Sequence, residues 1–238
     1  MKKIIWSLFD DGEMSYYNSL KEVAEVHAIG IQDHNLPNYH KIDLSITNGS
    51  LIKELSKLPK PDIILASPPC ESWSNASSQK RQINNINVYH NHLSLCLKNK
   101  DYYDNYNLTC NKIQKAYLIN QQRTRLIGES TITATYEIIN TFKPKIWIIE
   151  NPKTSLIFHY LLSMFNFTGF YNDTYYNAYN SNFTKKPTIF MSNIILNLRK
   201  DKIKQSVDLH NMKYNQRSKI PNELILDIWK TLTTIEKY

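Results

Sequence analysis

The sequence predicts an α/β domain: a mostly parallel sheet with helices on both faces and an antiparallel strand near the C-terminus. Three observations carry this. Short apolar runs recur at residues 4–9, 26–31, 63–66 and 146–149, as expected of strands buried on both faces. Between them lie segments whose apolar residues are spaced three and four apart, the period of amphipathic helices. Two of the runs stop at proline, in Ser67-Pro68-Pro69-Cys70 and Glu150-Asn151-Pro152. Proline cannot continue a ladder, so both strands end there, at the carboxyl edge where open α/β sheets put their ligands.

In order, residues 4–9 form the first strand and Asp10-Asp11-Gly12 the turn after it. Residues 13–23 read as a helix with Met14, Tyr17, Leu20 and Val23 on one side. A second strand covers 26–31 and ends near Gln32 and Asp33. A short third strand, 39–44, holds Asp43. Residues 50–58 are a helix with Leu51, Leu55 and Leu58 inward, and Pro59-Lys60-Pro61 closes it before the strand to Cys70. Residues 75–125 break the rhythm: they are polar, Tyr-rich and basic, and a connection of that length is usually functional or disordered. Pattern returns with a helix over 130–142, a strand to Glu150 and a helix over 154–165. Strands at 174–179 and 188–198 read as a hairpin at the sheet edge. A basic loop, 199–219, precedes a last helix reaching about Ile235, with Pro221 in its first turn.

The 238 residues suit a single domain carrying 75–125 as an insertion. A net charge of +8 favours a polyanionic partner, nucleic acid first. The three cysteines, Cys70, Cys96 and Cys110, are odd in number and widely spaced. They suit a reducing cytoplasm better than a disulfide framework, and no metal-type pair is present. No signal peptide and no bilayer-spanning run is evident. The expectation is a cytoplasmic monomer without metal or membrane attachment. The wealth of Asn, Lys, Ile and Tyr and the five glycines reflect AT-rich coding rather than function.

A free cysteine is commonly a small buried hydrophobe, and Cys96 and Cys110 keep that reading. Cys70 differs, because a Pro-Pro turn presents it at a strand end, where neighbouring basic groups can favour the nucleophilic thiolate. Glu150 ends the second such strand. It is either a reactive carboxyl or an acid facing the dipole of the following helix.

Pro68-Pro69-Cys70-Glu71-Ser72-Trp73-Ser74 resembles the Pro-Pro-Cys-Gln-x-Phe-Ser motif of DNA cytosine-5 methyltransferases. Glu150-Asn151-Pro152 resembles their Glu-Asn-Val motif, in the form usual in the small, phage-type branch. The resemblance covers most of the chain except 75–125. It implies a Rossmann-like S-adenosylmethionine-dependent methyltransferase fold and methylation of cytosine carbon 5 in DNA, in a context of protection from restriction. By the same resemblance, Cys70 is the nucleophile toward carbon 6 of the base and Glu150 the acid at ring nitrogen 3. Lys186, in Phe183-Thr184-Lys185-Lys186-Pro187-Thr188, falls on the first arginine of the family's Gln-x-Arg-x-Arg motif and Thr188 on the second.

Phe9-Asp10-Asp11-Gly12 resembles a degenerate form of the family's glycine-rich cofactor turn. Asp33, or Gln32 beside it, falls where an acid binds the cofactor ribose. Asp43 and Leu44 fall where the adenine binds, and Pro69 lines the methyl-donor pocket. Asp33 and Asp43 taken alone are ordinary loop acids. The segment between the second motif group and the last helix is too short for the family's usual recognition domain. Double-stranded DNA is therefore expected to meet Ser74, Lys80, Arg81, Lys185 and Thr188, with lysine and arginine holding phosphate and the tyrosines of 75–125 stacking on bases. The alternative reading of residues 75–125 is a solvated surface insertion. The target carbon is shielded in a duplex, so the base must be flipped out. The rivals are an amino-group methyltransferase acting on adenine N6 or cytosine N4, an RNA cytosine methyltransferase, and an inactive DNA-binding relative. Amino-group enzymes place an aromatic ring after the Pro-Pro turn, where this chain has Cys70.

Overall fold

The computed structural model describes residues 2–10, 12–73, 99–109, 118–201 and 218–235. They build one sheet of seven strands in the order β3-β2-β1-β4-β5-β7-β6. The strands are β1 (Ile4–Leu8), β2 (Glu25–Gly30), β3 (Tyr39–Lys41), β4 (Ile63–Ala66), β5 (Ile146–Pro152), β6 (Phe170–Tyr175) and β7 (Pro187–Ser192). The first five are mutually parallel. Strand β7 runs antiparallel to both β5 and β6. Chain order reverses between β1 and β4, which makes the carboxyl edge of those strands the topological switch point.

Each central strand splits its side chains between two cores, as the two-residue period requires. Trp6, Leu8, Ile64, Ala66, Trp147 and Ile149 point to one face, where they pack with α2 (Leu51–Leu55), α4 (Leu118–Phe142) and α5 (Ile157–Phe165). Ile5, Ile63, Leu65, Ile146 and Ile148 point to the other, against α1 (Ser15–Leu20) and α6 (Asn222–Ile235). Here α3 denotes Lys100–Thr109. Helices cover both faces, as the continuous apolar runs predict. No helix among the described residues is long and apolar enough to cross a membrane.

Several boundaries differ from expectation. Strand β5 does not stop before Glu150. Its pairing with β4 ends at Ile149, but β7 carries it on through Glu150, Asn151 and Pro152. Proline is tolerated there because it ends a strand that has already lost one neighbour. The hairpin is shifted: β6 ends at Tyr175, and Tyr176–Ala178 turn as a 3₁₀ helix. Strand β7 ends at Ser192 because the Asn193 side chain takes over the ladder. Its Oδ1 accepts the Trp147 N–H at 3.0 Å and its Nδ2 donates to the Lys145 carbonyl at 2.8 Å. Helix α1 is shorter than the predicted 13–23, since Met14 lies in the left-handed region at φ 53°. Helix α4 is longer, at 25 residues, so 118–125 of the presumed insertion are its first two turns. Most of the remaining insertion, and residues 202–217 of the basic loop, lie outside the described residues.

Candidate active site

The turn carrying Cys70 leaves β4 and is held by hydrogen bonds and by packing of Trp73. The Trp73 N–H donates to the Cys70 carbonyl at 3.0 Å, closing a tight turn, and the Leu156 N–H ahead of α5 donates to the Trp73 carbonyl at 3.0 Å. The Trp73 ring is fully buried and sits 5.0 Å from the Tyr160 ring. Helix α4 reaches the turn through Gly128. A β-carbon there would lie 1.8 Å from Ser72 Oγ and 3.0 Å from Trp73 Nε1. Glycine is used here for close approach, at a cost in helix propensity.

Strand β5 is fastened to the same turn by Asn151, which is 1% exposed. Its Nδ2 donates to the Pro68 carbonyl at 2.9 Å and to the Glu150 carbonyl at 3.0 Å. Asn151 thus joins the two proline-terminated strand ends by a hydrogen bond. Glu150 is 5% exposed. Its Oε1 accepts from Tyr176 Oη at 3.0 Å and lies 3.6 Å from Lys186 Nζ. Lys186 also donates to Tyr176 Oη at 3.4 Å and sits 4.7 Å from the centre of that ring. Three charged groups act on Cys70 besides burial. Burial first, then Glu71, push its thiol up to about 11; Lys186 pulls it down, and Glu150 pushes it up. Glu150 and Lys186 are thus brought together, and both act electrostatically on Cys70.

The expected cofactor residues gather at the carboxyl edge of β1, β2, β3 and β4, with differing availability. Phe9 takes a positive φ of 54°, the conformation a glycine would hold without strain. Asp10 is drawn away from a ligand role: Oδ1 accepts the Tyr16 N–H at 3.1 Å, and Oδ2 accepts the Tyr17 N–H at 2.9 Å and the Ser7 hydroxyl at 3.3 Å. It caps the N-terminal amides of α1. Asp33 is exposed just past β2 and paired with Lys41 Nζ at 2.7 Å. Asp43 is exposed past β3, and its carbonyl accepts from Asn48 Nδ2 at 2.9 Å. Leu44 is 1% exposed with its side chain in the core, so only its backbone faces this edge. Gly12 and Pro69 are half-buried. Two exposed carboxylates thus lie beyond successive strands, and a half-buried proline lies beside the thiol.

Among the expected DNA contacts, Lys185 is exposed. Thr188 is not where a base contact needs it. It is fully buried between Pro152 and Thr174, and its hydroxyl donates to the Lys186 carbonyl at 3.3 Å. Its place inside the β7 ladder is the physical reason. Asp11, Ser74, Lys80, Arg81, Cys96 and Cys110 lie outside the described residues. Among those described, no group of three or more His, Cys, Asp and Glu is placed to hold a metal.

Asn151, Tyr176 and Gly128 are the structural participants that sequence reasoning did not single out. Asn151 lay inside a quoted motif, whereas Tyr176 read as one more apolar position of a strand and carried no signal of its own. No protein-family model matches the chain, and no curated protein matches it.

Proposed function

We propose that this chain is an S-adenosylmethionine-dependent DNA cytosine-5 methyltransferase. One observation carries the proposal: the Asn151 staple to Pro68 holds the Cys70 turn against the β5 extension that bears Glu150, itself 3.6 Å from Lys186. A thiol and a carboxyl at adjacent strand ends suit two atoms of one pyrimidine ring.

Carbon 5 of cytosine is too weak a nucleophile to take a methyl group. Bonding of the Cys70 sulfur to carbon 6, with a proton passing from Glu150 to ring nitrogen 3, sends the electron pair of the 5,6 double bond toward carbon 5. Lys186 favours the thiolate. A proton on Glu150 removes the negative charge that opposes the thiolate, so acid and nucleophile are prepared together. Asp33, Asp43, the Leu44 backbone and Pro69 would hold S-adenosylmethionine, which supplies the electrophilic methyl group. Loss of the carbon 5 proton to solvent, return of the ring nitrogen 3 proton to Glu150 and departure of the Cys70 sulfur then restore the aromatic ring. Lys185 contributes phosphate attraction at the rim.

The test is a duplex containing 5-fluorocytosine, incubated with the protein and S-adenosylmethionine. Fluorine at carbon 5 blocks the final elimination, so a covalent protein–DNA adduct through Cys70 is expected, and Cys70→Ala abolishes it. Methylation that survives Cys70→Ala without adduct would sink the proposal in favour of amino-group chemistry. A second reading, an inactive DNA-binding relative, is favoured by the engaged Asp10 carboxylate and the high thiol pKa. It predicts no calorimetric binding of S-adenosylmethionine while DNA binding persists.

A further inference from the structure

We infer that Tyr176 is a positioning residue that fixes which oxygen of Glu150 carries the reactive proton; this rests on the function proposed above. Tyr176 is 1% exposed and comes from the 3₁₀ turn after β6, not from any segment quoted for the resemblance. It meets Lys186 twice: its backbone N–H donates to the Lys186 carbonyl at 3.3 Å, and its ring lies under the ammonium at 4.7 Å. Its hydroxyl sits between the two charged groups. It accepts from Lys186 Nζ at 3.4 Å and donates to Glu150 Oε1 at 3.0 Å.

The consequence follows from donor counting. Tyr176 and Lys186 both approach Oε1, and neither can accept a proton from it while donating. No hydrogen bond to Oε2 is made among the described residues. A protonated Glu150 therefore carries its proton on Oε2, the oxygen left for a base, and the carboxyl cannot rotate to present the wrong oxygen without breaking the Tyr176 bond. The hydroxyl links the Lys186 ammonium to Oε1, and the ring holds that ammonium over its face. Phe183, edge-on to the Tyr176 ring at 6.3 Å, helps to hold the ring in place.

The test is Tyr176→Phe, which keeps the ring and its packing and removes only the hydroxyl, with Tyr171→Phe on the half-exposed β6 surface as control. Two independent readouts are taken on folded protein. The first is the ¹³C resonance of the Glu150 carboxyl, assigned with Glu150→Gln, at one fixed pH without DNA. It is expected to move in Tyr176→Phe and to stay in place in Tyr171→Phe. The second is methylation of a DNA duplex. Here kcat is expected to fall about 10- to 100-fold, the range for losing a hydrogen bond to a charged group, with KM for DNA within about twofold. In a Glu150→Gln background, removing the Tyr176 hydroxyl is expected to change the residual rate of adduct formation by less than about twofold, because it acts through the carboxyl. An unmoved Glu150 resonance, or a full multiplicative loss in the double variant, overturns the inference. If the wild-type protein neither methylates DNA nor forms an adduct, the proposed function fails, while the carboxyl resonance still decides whether Tyr176 positions Glu150.

Discussion

Gly128→Ala puts a methyl group into the contact that seats the Cys70 turn on α4. The new carbon would lie 1.8 Å from Ser72 Oγ and 3.0 Å from both Ser72 Cβ and Trp73 Nε1. Alanine gains about 0.8–1.0 kcal/mol in helix propensity over glycine. Forcing a methyl group into a packed contact costs about 1–3 kcal/mol, and a contact this short belongs at or beyond the upper end. The net expectation is a loss of about 1–2 kcal/mol, or roughly 2–8 °C in Tm for a chain of this size. Ser72 offers the control. Its hydroxyl is fully enclosed with no hydrogen-bond partner among the described residues, so Ser72→Ala alone is expected to be neutral or slightly stabilising. Removing Oγ also removes the worst clash, leaving contacts that shifts of a few tenths of an ångström relieve. The double variant Ser72→Ala with Gly128→Ala should therefore recover about 1–2 kcal/mol relative to Gly128→Ala, well above the ~0.5 kcal/mol scatter of independent sites. Urea unfolding of the four proteins measures this directly. A Gly128→Ala protein as stable as wild type, or a double variant no better than Gly128→Ala, would refute the close packing of α4 on the turn.

Asn151→Ala removes the donor that joins Pro68 to β5, and is expected to cost about 1–3 kcal/mol in urea unfolding and to slow adduct formation on 5-fluorocytosine duplex. Asp10→Ala leaves two α1 amides without their acceptor and should cost about 1–2 kcal/mol by the same assay. Alkylation of Cys70 by iodoacetamide should rise about tenfold per pH unit above neutrality and level off only near 11, with Lys186→Met slowing it and Glu71→Gln speeding it at fixed pH; a plateau near 9.0, the value of an ordinary thiol, would refute the electrostatics. The linked effect on stability has a definite sign. Between 9.0 and about 11 the folded thiol holds a proton that the unfolded thiol has released, so stability is fully present below 9.0 and falls as pH rises through that window.

What the sequence made legible was whatever depends on local pattern. The buried strands read clearly because Ile4–Leu8, Ile63–Ala66 and Ile146–Ile149 are apolar at every position but Ser7. The two strand ends read clearly because proline acts locally, whatever packs around it. The extension of β5 through Glu150 was not legible, because it depends on β7, a partner some forty residues away. The early start of α4 was hidden for a related reason. Ile119, Leu126 and Ile127 are exposed, so the first turns lack the apolar stripe that marks a helix. Tyr176 was hidden because its apolar neighbours match a strand period, and only the tertiary position of Glu150 explains why it turns inward.

The glycine-poor first turn now has a physical account. A glycine-rich turn leaves backbone amides open to a ligand, whereas here Phe9 bears the left-handed conformation and Asp10 occupies the amides at the start of α1. A non-glycine residue in that region costs of order 1 kcal/mol, and the Asp10 cap offsets a cost of that size. Under the proposed function, S-adenosylmethionine would therefore depend more on the exposed carboxylates of Asp33 and Asp43 than on the first turn. Asp33→Ala is accordingly expected to weaken S-adenosylmethionine binding in calorimetry by more than Asp10→Ala does, provided both proteins remain folded. The reverse order would show that the first turn opens on binding and that the Asp10 cap is released to the ligand.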